Sequence, residues 1–234
     1  DHRDLHSFPT RRSSDLVHDV PLLDTATLTA LLDQHTERGD AVTLLTTELT
    51  DPTGYGRVIR QADGTVSAVV EQRDATPAQR AVREVNAGIY VFDAAFLRES
   101  LTTLGTDNDQ GEVYLTDVVA RAHDAGHPTS ALVVTDHWLV EGCNDRAQLA
   151  SLGAELNRRV LARWMVAGVG VVDPASTWVD VTATLAQDVE LEPGVLVRGT
   201  TTVGEGTRVG AYAVLTDAHV PAGAIVPQIG RAHV

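Results

Sequence analysis

From residue 17 to about 140, short apolar runs alternate with amphipathic segments, which is the texture of an α/β layer structure. The stretches "AVTLLTTEL" (41–49), "TVSAVVEQ" (65–72), "NAGIYVF" (86–92) and "SALVV" (130–134) are rich in β-branched residues and predict strands. "VHDV" (17–20) reads as the end of another buried strand. "DTATLTALLDQHTERG" (24–39) predicts a helix with Asp24 as N-cap, Leu28, Leu31 and Leu32 on one face, and Gly39 as its stop. "AAFLRESLTTL" (94–104) and "LTDVVARAHDAG" (115–126) predict further amphipathic helices. A longer one follows over 145–168, with Leu149, Leu152, Leu156 and Val160 at helical spacing and arginines around the rest of the turn; it reads as a solvated connecting helix.

After this helix the period changes. Val179, Leu185, Leu191, Val197, Val203, Val209 and Leu215 form an unbroken series with an aliphatic residue at every sixth position. Four residues after each stands Ala183, Val189, Val195, Thr201, Thr207, Ala213 or His219, mostly small or β-branched, with glycines and acidic residues at the corners. A flat antiparallel sheet would alternate with period two. A strict six-residue repeat instead predicts a parallel β-helix whose sides each send one aliphatic residue inward. Three sides make a coil, so these matches predict about two coils.

Composition narrows the possibilities. The chain has 234 residues, 43% of them hydrophobic, enough for one large or two modest domains. No apolar run reaches membrane-spanning length, and the net charge of −14 argues against a nucleic-acid partner. The lone Cys143 excludes an internal disulfide and fits a reducing compartment. All 18 basic residues are arginine, so these residues offer no lysine to hold a phosphate. Both ends read as foreign: "HSFPTRRSSDL" (6–16) and "IGRAHV" (229–234) translate the two strands of one sequencing-library adapter. Residues 1–16 and 228–234 are therefore set aside as non-native, which makes 17–227 a truncated piece.

Candidate chemistry lies at strand ends. Asp19 closes the first strand-like segment and Glu71 leaves the apolar strand "VSAVV", positions where open α/β sheets present ligand groups. Asn86 begins the next strand, and Asn144 sits in the turn "EGCND" before the long helix, where capping is the ordinary job of such a residue. A carboxylate and a carboxamide on neighbouring strand ends could bracket sugar hydroxyls; strand-end capping would need the same residue types. The histidines have no zinc-ligand spacing, and no nucleophile motif is present. "DPTGYGR" (51–57) raises a narrower question: whether Gly54 and Gly56 only let the chain turn, or whether one must stay bare.

The ordered motifs "DVPLL", "DPTGYGR", "VVEQRDAT", "REVNAGIY", "QGEVYLTD", "EGCNDRAQL" and "AGVGVVDP", followed by hexapeptide repeats, resemble the bacterial bifunctional N-acetylglucosamine-1-phosphate uridylyltransferase/glucosamine-1-phosphate N-acetyltransferases, with an actinobacterial flavour. The resemblance covers essentially all of 17–227. It implies part of a Rossmann-like nucleotidyltransferase domain (17–144), a linker helix (145–168) and the start of a left-handed parallel β-helix (169–227). It also implies roles. Asp19 and Asn144 would hold Mg²⁺; Gly56 would meet the N-acetylglucosamine moiety through its backbone; Glu71 and Asn86 would bond sugar hydroxyls; Tyr114 and Thr116 would line the pocket. The implied substrates are UTP and N-acetylglucosamine 1-phosphate, giving UDP-N-acetylglucosamine for cell-wall precursors. The complete protein would be cytoplasmic and homotrimeric and would also use acetyl-CoA.

Three departures qualify this. His18 stands where the family has glycine, and Asp145 where it has a second asparagine. The glycine-rich loop that grips the triphosphate and the distal acetyl-CoA site have no counterpart in these residues, so the chain alone is expected to catalyse neither reaction. Two other readings stay open: a glucose- or mannose-1-phosphate nucleotidylyltransferase with a β-helix tail, and a non-catalytic trimerisation scaffold.

Overall fold

A computed structural model describes residues 20–106, 109 and 111–228, which divide into two compact units with the boundary in the chain between Asn144 and Asp145. Asp19, His18 and the foreign-looking residues 1–16 and 229–234 lie outside the described residues.

The first unit is built on β1 (Val42–Glu48), β2 (Arg57–Arg60), β3 (Val66–Val70), β4 (Glu84–Phe92) and β5 (Thr129–Val134), in the order β3-β2-β4-β1-β5. β1 and β5 run parallel, and the other neighbours are antiparallel. Strand β1 is central and buried on both faces, which explains its nearly unbroken apolar and threonine run. Val42 and Leu44 join Val58, Val66 and Val69 in one core, and Leu45 joins Ala87 and Ile89 in a second. Helix α1 (Thr25–Arg38) covers the second core through Leu31 and Leu28. Its Asp24 cap accepts from the Thr27 amide at 2.7 Å, and Gly39 ends it at φ +62°. Leu32, expected on the same face, is 49% exposed: it follows Leu31 by 100° of helical rotation and falls off the buried stripe.

A four-residue helix, α2 (Pro77–Arg80), follows β3; α3 (Ala94–Leu101) and α4 (Asp117–Asp124) close the first core through Phe96, Leu97, Val118 and Val119. Polar side chains brace the sheet. The Arg60 guanidinium grips the Glu84 carboxylate at 2.6 and 2.7 Å, and the Thr46 hydroxyl donates to the same carboxylate at 2.8 Å, linking β2, β4 and β1.

The second unit opens with α5 (Arg146–Val166) and continues as ten short strands: β6 (Gly170–Val171), β7 (Trp178–Val179), β8 (Thr184–Leu185), β9 (Glu190–Leu191), β10 (Leu196–Arg198), β11 (Thr202–Val203), β12 (Arg208–Val209), β13 (Val214–Thr216), β14 (His219–Val220) and β15 (Ile225–Val226). They stack in register into three parallel sheets, a β-solenoid. The predicted aliphatic series points inward, from Val179 through Val209 at no more than 4% exposure. The stack has about three turns rather than two. After Leu215 one side is a residue short, so Val220, not residue 221, pairs with Val203, and the next inward residue is Val226. The rigid six-residue count loses phase at that step, and His219 points outward instead of filling a small inward position.

Helix α5 is not simply solvated. Val160 and Leu161 enter the solenoid core, with Trp164 against it. Asn157, 8% exposed, donates to the Thr177 carbonyl at 2.8 Å and accepts from the Val179 amide at 3.1 Å, capping the edge of β7. Leu149 and Leu156, expected on the apolar face, are 56% and 39% exposed. Replacing Asn157 by alanine leaves two buried backbone groups unpaired, so Asn157→Ala should destabilise the second unit by about 2–4 kcal/mol in urea denaturation. Tryptophan fluorescence of Trp164 and Trp178 reports that transition.

Candidate functional site

β2 and β3 are antiparallel, with Arg57 opposite Val70, so the residue before β2 and the residue after β3 meet. These are Gly56 and Glu71. A Cβ on Gly56 would lie 3.0 Å from the Val69 Cγ1 and 3.3 and 3.4 Å from the two Glu71 carboxylate oxygens. Gly56 is therefore bare because the Val69 methyl and, beside it, the Glu71 carboxylate fill the space a Cβ would take. Gly54 differs: its φ of +91° favours glycine, and nothing lies within 4 Å of a Cβ built there. One glycine turns the chain and the other makes room.

Asn86 joins through the backbone, its amide donating to the Gly56 carbonyl at 2.9 Å. It is the third residue of β4 rather than the first, because β4 runs back to Glu84. Against β1, β4 bulges: Leu44 faces Tyr90 but Thr46 faces Asn86, so two steps on one strand span four on the other. Gly88 takes φ +72° inside the bulge, and its amide donates to the Asn86 Oδ1 at 3.0 Å. Asn86 and Tyr90, four residues apart, share one face of β4 by ordinary alternation, and the bulge leaves that alternation intact. Tyr90 is 8% exposed, with its phenol beside the Asn86 side chain and within the field of Glu71; burial pushes that hydroxyl well above its ordinary pKa. An alternating reading of "NAGIYVF" allows this pairing, but it does not show the bulge between them. The glycine inside a strand was the available signal.

Thr116 holds the N-cap position of α4 but makes no capping bond; its buried hydroxyl donates to Glu71 Oε1 at 3.4 Å. Tyr114, half-buried, stands two residues earlier, and its carbonyl accepts from the Asp117 amide at 3.2 Å. Burial raises the Glu71 pKa; the Thr116 bond partly offsets it, and Asp74 and Asp117 raise it further. The Asp117 pKa is raised too, again chiefly by burial. Gly56, Glu71, Asn86 and Thr116, with Tyr90, thus form one end of the sheet.

Asn144 is exposed, at the close of the 141–144 segment. Glu141 in that segment is near enough to Tyr55 to help burial raise the Tyr55 hydroxyl pKa. The cap of α5 is Asp145, which accepts from the Gln148 amide at 2.8 Å, so capping does not explain Asn144. Among the described residues no group of three His, Cys, Asp or Glu side chains could hold a metal. The Asn144 amide oxygen is a hard donor of the kind that suits an oxygen-liganded divalent cation.

A mixed sheet with helices on both faces and ligand-type residues at one end, followed in the chain by a β-solenoid, is a nucleotidyltransferase architecture. The protein-family model described as nucleotidyl transferase matches residues 13–182, and the chain belongs to that family. It is 56% identical over 208 residues to the bifunctional protein GlmU of Kineococcus radiotolerans. The GlmU proteins of Pseudarthrobacter chlorophenolicus and Corynebacterium efficiens are 52% and 50% identical. Each comparison covers 89% of this chain but only 42% or 43% of the relative, so the chain spans about two fifths of their length.

The raised Glu71 pKa has a thermodynamic sign. A carboxyl whose folded pKa lies above its unfolded value contributes favourably below the unfolded pKa and loses that contribution as pH rises through the folded one. Glu71→Gln, which cannot ionise, should therefore raise Tm at pH 7.5 and leave it unchanged below about pH 4. Paired thermal scans at the two pH values check it; a lower Tm at pH 7.5 would contradict the burial argument.

Proposed function

We propose that this chain carries the sugar-binding part of an enzyme that makes UDP-N-acetylglucosamine from UTP and N-acetylglucosamine 1-phosphate. The observation that carries the reading is the bare Gly56 against the Glu71 carboxylate, closed on the next strand by Asn86. An ionised Glu71 accepts hydrogen bonds from sugar hydroxyls, and the Asn86 carboxamide offers both a donor and an acceptor. Thr116 and Tyr114 wall the pocket, and the Gly56 peptide lies against the N-acetylglucosamine moiety. The sugar phosphate attacks the α-phosphate of UTP and pyrophosphate leaves, so positioning rather than a protein nucleophile carries the chemistry. Divalent metal, Mg²⁺ in this reading, would be held by Asn144 and Asp19 and would supply neutralisation of phosphate charge.

The relatives named as bifunctional support extending the proposal to the complete protein, with acetyl-CoA as the second activity's donor. Homotrimer assembly is supported by one solenoid face. Trp178, Leu196 and Val214 stack in register on its outer side, with Trp178 43% and Val214 45% exposed, whereas the β9–β12 face presents a Glu190–Arg208 ion pair. No helix among the described residues is long and apolar enough to cross a membrane; a cytoplasmic site of action is part of the proposal.

Calorimetric titration of this chain separates the sugar alternatives. UDP-N-acetylglucosamine should bind about tenfold or more tighter than UDP-glucose, a difference of ~1.4 kcal/mol. Equal or reversed preference would favour a glucose or mannose nucleotidylyltransferase, and no binding of either would favour a scaffold. In the same titration Gly56→Ala, whose methyl displaces Glu71 and Val69, should weaken UDP-N-acetylglucosamine by about tenfold, with a stability loss of only ~1 kcal/mol.

A further inference from the structure

Arg57 is the largest fully buried side chain among the described residues, 2% exposed, at the first position of β2. Alternation along β2 puts it on the face opposite Gly56 and Val58, behind the site rather than in it. Its Nη1 donates to the Tyr55 carbonyl, and its Nη2 donates to Gln72 Oε1 at 2.6 Å. These two partners flank Gly56 and Glu71, one residue to the side of each. One planar guanidinium therefore ties together the two segments whose spacing makes the site. Its Nε is buried without a partner, and no carboxylate among the described residues bonds the guanidinium. Asp51 contributes only a distant field, which Arg80 opposes, and burial lowers the Arg57 pKa.

A buried cation without a salt bridge costs stability, and a hydrophobic side chain of similar length would pack there at less cost. Fold stability therefore does not account for the residue. The fork geometry does: lysine has the charge but not two donors at a fixed spacing.

We propose that Arg57 is a positioning residue, a clamp behind the sheet that fixes the Tyr55–Gly56 segment against Glu71–Gln72 and so holds the sugar-contacting face in register. It touches no substrate and acts through Gly56 and Glu71. The inference rests on the proposed sugar-binding reading for its ligand but not for its geometry, so two measurements test it.

The first needs no ligand. The Asn86 amide bonds the Gly56 carbonyl and the Asp74 amide bonds the Glu71 carbonyl, so both report whether the clamp holds. In Arg57→Met, hydrogen exchange at these two amides should quicken about tenfold, while amides of β1 keep their protection and Tm stays level or rises. Arg57→Lys should show the same loosening. The second is calorimetry with UDP-N-acetylglucosamine, where both variants should bind about tenfold more weakly than the parent chain. Unchanged exchange at Asn86 and Asp74, or a general loss of protection with a fall in Tm, overturns the clamp. Full rescue by lysine overturns it in favour of a charge effect. If the parent chain binds no UDP-N-acetylglucosamine, the functional reading fails, and the exchange comparison still decides the role of Arg57.

Discussion

The antiparallel pairing of β2 with β3 and β4 is the constraint from which the site follows. Because β2 begins where β3 ends, with Arg57 opposite Val70, the residues just outside the ladder are forced together. The Asn86 amide bonded to the Gly56 carbonyl adds the third strand at the same level. A one-residue slip of β3 against β2 would turn Glu71 to the opposite face, the face that holds Arg57. The register is held from the core side by Val58 and Val69, both nearly fully buried, and at the far end of β2 by the Arg60–Glu84 pair. Specificity of place here is a consequence of sheet register, and only secondarily of the individual polar contacts.

Much of this was legible in the sequence, for a definite reason. A carboxylate at the exit of an apolar strand and a glycine before another strand are local signals, and local signals survive without coordinates. The resemblance already set Gly56, rather than the turn glycine Gly54, against the ligand; the structure adds the physical reason, in the φ of one and in what would meet a Cβ on the other. Tyr90 shares the Asn86 face by simple alternation, but a tyrosine inside an apolar strand reads as core, and its place beside Asn86 and Glu71 needed the structure. Arg57 was hidden because an arginine in a loop motif reads as exposed, and its burial depends on Tyr55 and Gln72 arriving from either side. The solenoid shows the same limit. Its period was plain, but a single residue missing between Leu215 and Val220 put the last turn out of phase.

The two units manage buried polarity in opposite ways. In the solenoid, the inward hydroxyls are mostly satisfied within their own stack. Thr201 donates to the Arg198 carbonyl at 2.6 Å and accepts from the Ala218 amide at 3.2 Å, and Thr207 donates to the Pro221 carbonyl at 3.0 Å. Such residues cost little, because threonine fits a pleated stack and its hydroxyl finds backbone at a fixed offset. The repeat can therefore extend by addition, each turn bringing partners for the last.

At the sheet end of the first unit the polarity is not settled in this way. Glu71 is held among Asp74 and Asp117 with one 3.4 Å hydroxyl partner, its pKa raised rather than lowered. Arg57, close behind, keeps a buried Nε without a partner, yet it is turned toward a carbonyl and an amide rather than toward these acids. A fold selected only for stability would let these opposite charges meet, since their pairing would offset both desolvation costs. They are instead kept on opposite faces of the same strands. That separation leaves Glu71 with a single hydroxyl partner at 3.4 Å on one side, while the guanidinium donates to the Tyr55 carbonyl and the Gln72 side chain on the other. Acceptors with so few protein partners at a glycine-cleared surface are what a polyhydroxylated ligand requires, and under the proposed sugar-binding reading the stability forgone at this end of the sheet is what a binding site would show.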